Sequence, residues 1–230
     1  MTIYVERRGI VAPGELLAEG RHLPGANTYA VNGKIRASKL GLVEFFQNKV
    51  SVVPLKGCYI PNLNDQVIGK IMEVEVFGWI VDIASPYRGL LPASEVHGRR
   101  SQIKLDLTKI FDIGDLILAK VVAFDRTRDP LLTVKGRGLG KISSGKIIKI
   151  SPAKIPRLIG KKGSMINMLK KEAGCEIYVG QNGLILISGK SPFHERLVVE
   201  AVRKIEREAH TQGLTDRVKE MLVKKKREVK

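Results

Sequence analysis

The chain is poor in the residues from which a catalytic or metal centre is usually assembled. It has two cysteines, Cys58 and Cys175, far apart and each in an apolar stretch, which read as buried reduced thiols. Its four histidines, His22, His97, His194 and His210, are scattered, and none lies near a cysteine or carboxylate in a ligand pattern. Asp125 and Asp129 are close, but Arg126 and Arg128 stand among them, which suits a salt-bridged surface turn. Asp112 and Asp115 flank a second turn. No metal and no other cofactor is expected, and no catalytic residue is assigned. Aromatic residues make up only 5% of the chain, so any stacking on bases must rest on a few rings. No apolar run approaches the roughly 20 residues that span a bilayer, so a membrane is not an expected partner. The start of the chain lacks a charged-then-apolar leader pattern, and a cytoplasmic location is expected.

Acidic residues are also short. Against 40 Lys and Arg there are 23 Asp and Glu, a formal net charge of +17, which favours a polyanionic partner. An apolar content of 43% still permits real cores, and 230 residues allow two or three small domains.

Residues 1–62 read as a small β-domain: Ile35-Arg-Ala-Ser, Gly41-Leu-Val-Glu-Phe-Phe and Lys49-Val-Ser-Val-Val-Pro are short runs between turn signals. Asn32-Gly33 suits a two-residue hairpin, since both residues tolerate positive φ. Residues 63–137 carry five further strand signals, in an order that fits a closed OB-type barrel. Residues 144–210 change period. A strand at Lys146-Ile-Ile-Lys-Ile is followed by a helical turn from Pro152 to Pro156, then Gly160-Lys161-Lys162-Gly163. A helix from Ser164 to Ala173 stops at Gly174; two strands follow, then a helix opened by Ser191-Pro192. The order β-α-GKKG-α-β-β-α is that of a type I KH domain, whose GxxG turn clamps a single-stranded nucleic-acid backbone. A side chain at either glycine would obstruct that approach. Arg157, Gly160, Lys161, Lys162, Gly163 and Ser164 are the candidate contacts. A phosphate loop of the Walker kind needs four residues between its glycines, and only two are present. The fold expected is therefore multidomain, all-β followed by α+β, with a basic tail over 211–230. From Arg217 to Lys230 that tail holds seven basic and two acidic residues, a block that usually lies solvated.

Two resemblances sharpen these expectations. Phe77-Gly-Trp-Ile-Val-Asp82 and Gly89-Leu-Leu-Pro-Ala-Ser-Glu95 are similar to S1-type RNA-binding domains. That likeness implies a ligand surface with Phe77 and Trp79 on the second strand and Arg126 and Arg128 near the last turn. Two positions apart on a strand, the two rings would share one face, either the ligand surface or the core. Pro92 stands where many members have a histidine. The whole succession also resembles the archaeal exosome's RNA-binding cap subunit. Pro13-Gly14-Glu15-Leu16-Leu17-Ala18-Glu19-Gly20, Ser85-Pro86-Tyr87 and Ile150 to Met168 carry that likeness. It implies a subunit that is not itself an enzyme, binds single-stranded RNA and sits in three copies on a hexameric ring of phosphorolytic RNase subunits. The cap would dock through its N-terminal domain and thread 3′ ends inward for 3′-to-5′ degradation. The alternative is a free-standing S1/KH transcription or translation factor. Polynucleotide phosphorylase carries the two modules in the opposite order, after catalytic domains for which this chain has no room.

Overall fold

A computed structural model describes residues 2–97, 106–189, 191–209, 211 and 213–227. The chain divides into two compact units, residues 1–57 and 58–230.

In the first unit the strands are β1 (Thr2–Ile3), β2 (Ile10–Val11), β3 (Leu16–Glu19), β4 (Leu23–Pro24), β5 (Thr28–Val31), β6 (Lys34–Ala37), β7 (Gly41–Phe46) and β8 (Lys49–Pro54). They form two four-stranded sheets, ordered β1-β3-β6-β5 and β2-β7-β8-β4. The alternation in β6, β7 and β8 sends Ile35, Ala37, Val43, Val50 and Val52 into one core with Val11, Leu17 and Ala18. Asn32 and Gly33, at φ 50° and 73°, close the β5–β6 hairpin as their residue types require.

The second unit begins earlier than the expected boundary at residue 63. Tyr59 is buried in the barrel core, and its hydroxyl donates to Asp65 Oδ2 at 2.7 Å, so the residues from Cys58 onward belong with the barrel. The barrel strands are β9 (Gln66–Glu75), β10 (Gly78–Asp82), β11 (Arg88–Pro92), β12 (Leu116–Asp125) and β13 (Arg128–Thr133), with a short helix α1 (Ser94–His97) after β11. Strand β13 pairs in parallel with β11 and antiparallel with β12, and β12 pairs with β9, which closes the five-stranded cylinder. A short strand β14 (Gly140–Lys141) adds to β12 and leads out of the barrel.

The KH fold follows as β15 (Lys146–Lys149), α2 (Ile155–Ile159), α3 (Ser164–Ala173), β16 (Cys175–Val179), β17 (Leu184–Gly189) and α4 (Pro192–Arg207). Its sheet is antiparallel in the order β15-β17-β16. Leu197, Val198, Ala201, Val202 and Ile205 of α4 pack with Met165, Leu169 and Ala173 of α3 over the sheet residues Ile177, Ile185 and Ile187. The other face of the sheet meets the barrel, where Leu186 packs with Ile68 and Leu118. At this seam the amide of Asn182 donates to Ile68 O (2.7 Å) and Ile83 O (2.8 Å), and Gln181 N donates to Gln66 O at 2.8 Å. None of the described helices is long and apolar enough to cross a membrane.

The basic tail is not a free end. Residues Leu214–Arg227 form a further helix, α5, and Leu214, Val218 and Leu222 are buried in the KH core. Their i, i+4, i+8 spacing makes one apolar stripe, and that stripe, not the lysine block beside it, decides the conformation. Replacing Leu222 with Ala should therefore lower the unfolding free energy by about 2–5 kcal/mol in urea titrations. An unchanged midpoint would mean that α5 contributes nothing to the KH core.

Candidate nucleic-acid interface

Helix α2 ends where Gly160 turns to φ 74° and ψ 172°, and Lys162 (φ 54°) and Gly163 (φ 79°) follow with positive φ. Gly163 N donates to Gly160 O at 3.1 Å, which folds the four residues into a tight turn. The two glycines are needed for different reasons. A Cβ on Gly160 would lie 2.8 Å from the backbone nitrogen of Met165 and 2.9 Å from its Cβ, so the fold itself excludes a side chain there. A Cβ on Gly163 would press on the Asn167 amide nitrogen at 3.3 Å, a group that can yield, and otherwise meet Ile166 Cγ2 in ordinary contact at 3.8 Å. At that position the left-handed backbone sets the requirement. Lys161, Lys162 and Ser164 are exposed at the tip, and no side chain caps the N-terminus of α3 behind them.

Arg157 departs from expectation. The residue is half-buried, and its guanidinium donates to Thr211 O at 2.8 Å in the link between α4 and α5. It holds the fold rather than standing among the free cations of the turn. At the far end of α3 an open cleft of about 420 Å³ is lined by Lys170, Gly174, Cys175, Glu176, Ser188 and Gly189. There Lys170 pairs with Glu176 at 3.5 Å and lies 5.5 Å from the Tyr178 ring centroid.

On the barrel, Phe77 and Trp79 do not share a face. The hairpin turn includes Phe77, and β10 starts only at Gly78, so the alternation expected from the sequence does not reach Phe77. Phe77 is 84% exposed, whereas Trp79 is 2% exposed. The indole Nε1–H of Trp79 donates to Phe111 O at 2.9 Å, and the ring meets Phe111 edge-on at 5.2 Å. Trp79 is therefore core, and no base can stack on it. Arg126 and Arg128 are exposed at the β12–β13 turn, where Asp125 accepts from the backbone nitrogen and hydroxyl of Thr127. The Thr127 hydroxyl first, then its backbone N–H, holds the Asp125 carboxyl below the usual range.

The register separates these arginines from Phe77. Gly78 pairs with Pro92 and Asp82 with Arg88, while Leu90 pairs in parallel with Leu131, so Arg128 lies toward the Arg88 end of the sheet. Asp129 Oδ1 accepts from Arg88 N at 3.1 Å and fixes that end. Four residues of strand, about 13 Å, divide it from the Phe77 tip. The aromatic side chains at this end are instead Phe124 and Tyr87, edge-to-face at 4.9 Å. Tyr87 is visible in the Ser85-Pro86-Tyr87 run, although nothing in the spacing marks its role. Asp82, Asp125 and Asp129 share this end with Arg88, Arg126 and Arg128, so its charge is nearly balanced. The barrel segment 58–137 as a whole holds eleven basic and ten acidic residues, whereas 144–230 holds twenty basic and nine acidic. Within the second unit the excess of positive charge lies in the KH fold and its appended helix.

Residues 8–56 match the model of the exosome RNA-binding protein RRP4 N-terminal domain, residues 58–123 the RRP4 S1 domain, and residues 145–192 a KH domain. The exosome complex component Rrp4 of Thermococcus kodakarensis is 48% identical over 99% of this chain and 90% of its own. That of Saccharolobus solfataricus is 44% identical over 97% of this chain and 91% of its own. The chain belongs to the Rrp4 family. A crystal structure provisionally assigned as an exosome complex RNA-binding protein shares 43% identity and superposes with a TM-score of 0.70, covering 76% of this chain and all of that one. The Rrp4 S1 match begins at the residue where the second unit begins, and the KH match contains the complete GKKG turn. The KH match ends at the first residue of α4, so α5 lies outside all three.

The two rings of the barrel should respond in opposite ways. Trp79→Ala should cost about 3–5 kcal/mol of folding stability, read by denaturant unfolding. Phe77→Ala should leave the melting curve unchanged and cost about 1–3 kcal/mol of RNA affinity if the exposed ring stacks a base. A stable Trp79→Ala protein would contradict the core assignment.

Proposed function

We propose that this chain is the RNA-binding cap subunit of an exosome, recruiting single-stranded RNA and guiding its 3′ end into a phosphorolytic ring without cutting it. One observation carries the reading: an exposed turn that presents Lys161 and Lys162 between two glycines held at positive φ. A sugar-phosphate backbone can lie against Gly163 while the two ammonium groups meet its phosphates. The match to the exosome RNA-binding protein RRP4 N-terminal domain, the similar solved structure named for RNA binding and the excess of positive charge in the KH segment support the same partner. In this reading the N-terminal unit docks to the ring, the barrel lines the entry and the KH loop captures substrate, with three caps on each ring. Ile10, Leu23, Leu40 and Phe46 are large apolar side chains exposed on the N-terminal unit, and they offer a surface for such docking.

Lys161→Ala with Lys162→Ala should weaken RNA binding across sequences. The slope of log affinity against log salt should fall by about 0.7 for each phosphate that is no longer neutralised. Gly163→Asp should bind more weakly still, through obstruction and charge together, while keeping its fold. An unchanged salt slope in the lysine variant would remove the loop from the binding path. For the assembly, tagged protein captured from its native lysate should carry phosphate-dependent 3′-end shortening that the isolated chain lacks. Absence of that activity from both would favour a free-standing RNA-binding factor.

A further inference from the structure

Helix α4 has a second exposed face that neither the GKKG turn nor the barrel accounts for. Arg196, Glu200, Arg203 and Arg207 follow one another at helical spacing and lie on one side, opposite the buried stripe from Leu197 to Ile205. The three arginines are all exposed, and they span about 16 Å along the axis at 1.5 Å per residue. An exposed run of charge is ordinarily only a solvated surface. Here the pattern of neutralisation argues otherwise.

Every carboxylate between Glu195 and Glu208 is engaged by the fold. Glu195 Oε1 accepts from Gly189 N at 3.2 Å, and Glu206 Oε1 from Ser151 N at 2.9 Å. Glu208 pairs with Arg217 at 3.2 Å, and Glu200, the one acid within the arginine row, is paired with Lys225 of α5. Among the described residues Arg196, Arg203 and Arg207 have no ion-pair partner. Helix α5 thus supplies the cation that cancels Glu200, and three uncompensated guanidinium groups remain in a row. Guanidinium groups bind phosphates through two donors at once and are weakly hydrated, which suits them to a phosphodiester chain. The Arg207 end of the row lies on the side of α4 tied to the α2 segment: neighbouring Glu206 accepts from Ser151 N ahead of α2, and Arg157, three residues before Gly160, reaches Thr211, four residues beyond Arg207.

We infer that the outer face of α4, through Arg196, Arg203 and Arg207, is a second RNA-backbone track that receives the strand beyond the GKKG turn. The inference rests on the RNA-binding reading of the KH fold. It makes long RNA bind with more phosphate contacts than the turn alone provides, whatever the sequence.

The test is fluorescence anisotropy with labelled single-stranded RNAs across a salt series. A short RNA of about six nucleotides exceeds the four that a KH loop clamps by too little to reach along α4, whereas one of about 25 does reach. The triple variant Arg196→Gln, Arg203→Gln, Arg207→Gln should bind the short RNA as the parent does and lose about 2 from the salt slope on the long RNA. The matching triple Lys variant should restore most of that slope, and both should melt as the parent does. The Lys161→Ala, Lys162→Ala variant should weaken binding at both lengths. If only that variant changes the slope, the α4 track is wrong and the reading of the loop stands. If neither variant changes it, both are wrong. Should the Gln variant keep its RNA slope but lose partner subunits on capture from lysate, the row is a protein-docking surface and the inference is overturned.

Discussion

The side-chain amide of Asn182 sits at the seam between barrel and KH fold, 1% exposed, and ties two backbone carbonyls of the barrel to a turn of the KH sheet. A buried carbonyl left without a donor costs about 1–3 kcal/mol, and this one amide serves both Ile68 and Ile83. The apolar patch of Ile68, Leu118 and Leu186 surrounds it and removes the water that would otherwise compete. Ile83 opens the loop that continues through Tyr87 to Arg88, so the geometry of the barrel's arginine end is set partly from the neighbouring domain. Barrel and KH fold are here one body.

Within that body the charge is unevenly placed. The barrel is nearly neutral and keeps acids beside its arginines, whereas the KH fold and α5 carry most of the excess. A polyanion is therefore drawn first to the KH side and meets little electrostatic hold at the barrel. Under the proposed function, weak electrostatic hold at the barrel would let a strand advance, since strong phosphate binding there would oppose its movement.

The parts of the fold that can be read from the chain are those coded by local chemistry. Asn32-Gly33, the GKKG turn, Gly174 and Ser191-Pro192 each dictate a backbone conformation over a few residues, and each stands where its residue types imply. Pro192 opens α4 as expected, although the Ser191 hydroxyl meets His194 Nδ1 instead of capping the backbone. Sequence reasoning fails where a distant partner decides. Period-two alternation puts Phe77 beside Trp79 because nothing local shows whether the strand begins before or after Phe77. Arg157 looks like a loop cation, and its acceptor lies at Thr211. Asn182 stands in a turn, and nothing local marks its role, since its carbonyl partners are far away in sequence. The apolar stripe of α5 is present, but the adjacent run of lysines masks its period.

The bond from Arg157 to Thr211 has a kinetic meaning. It ties the short helix before the turn to the segment that starts α5, so the C-terminal helix braces the loop from behind. Ordering a flexible loop during encounter would subtract from affinity and slow association. With the brace in place that entropy is already spent when the chain folds, so under the proposed function a strand that meets the turn would pay little for ordering it.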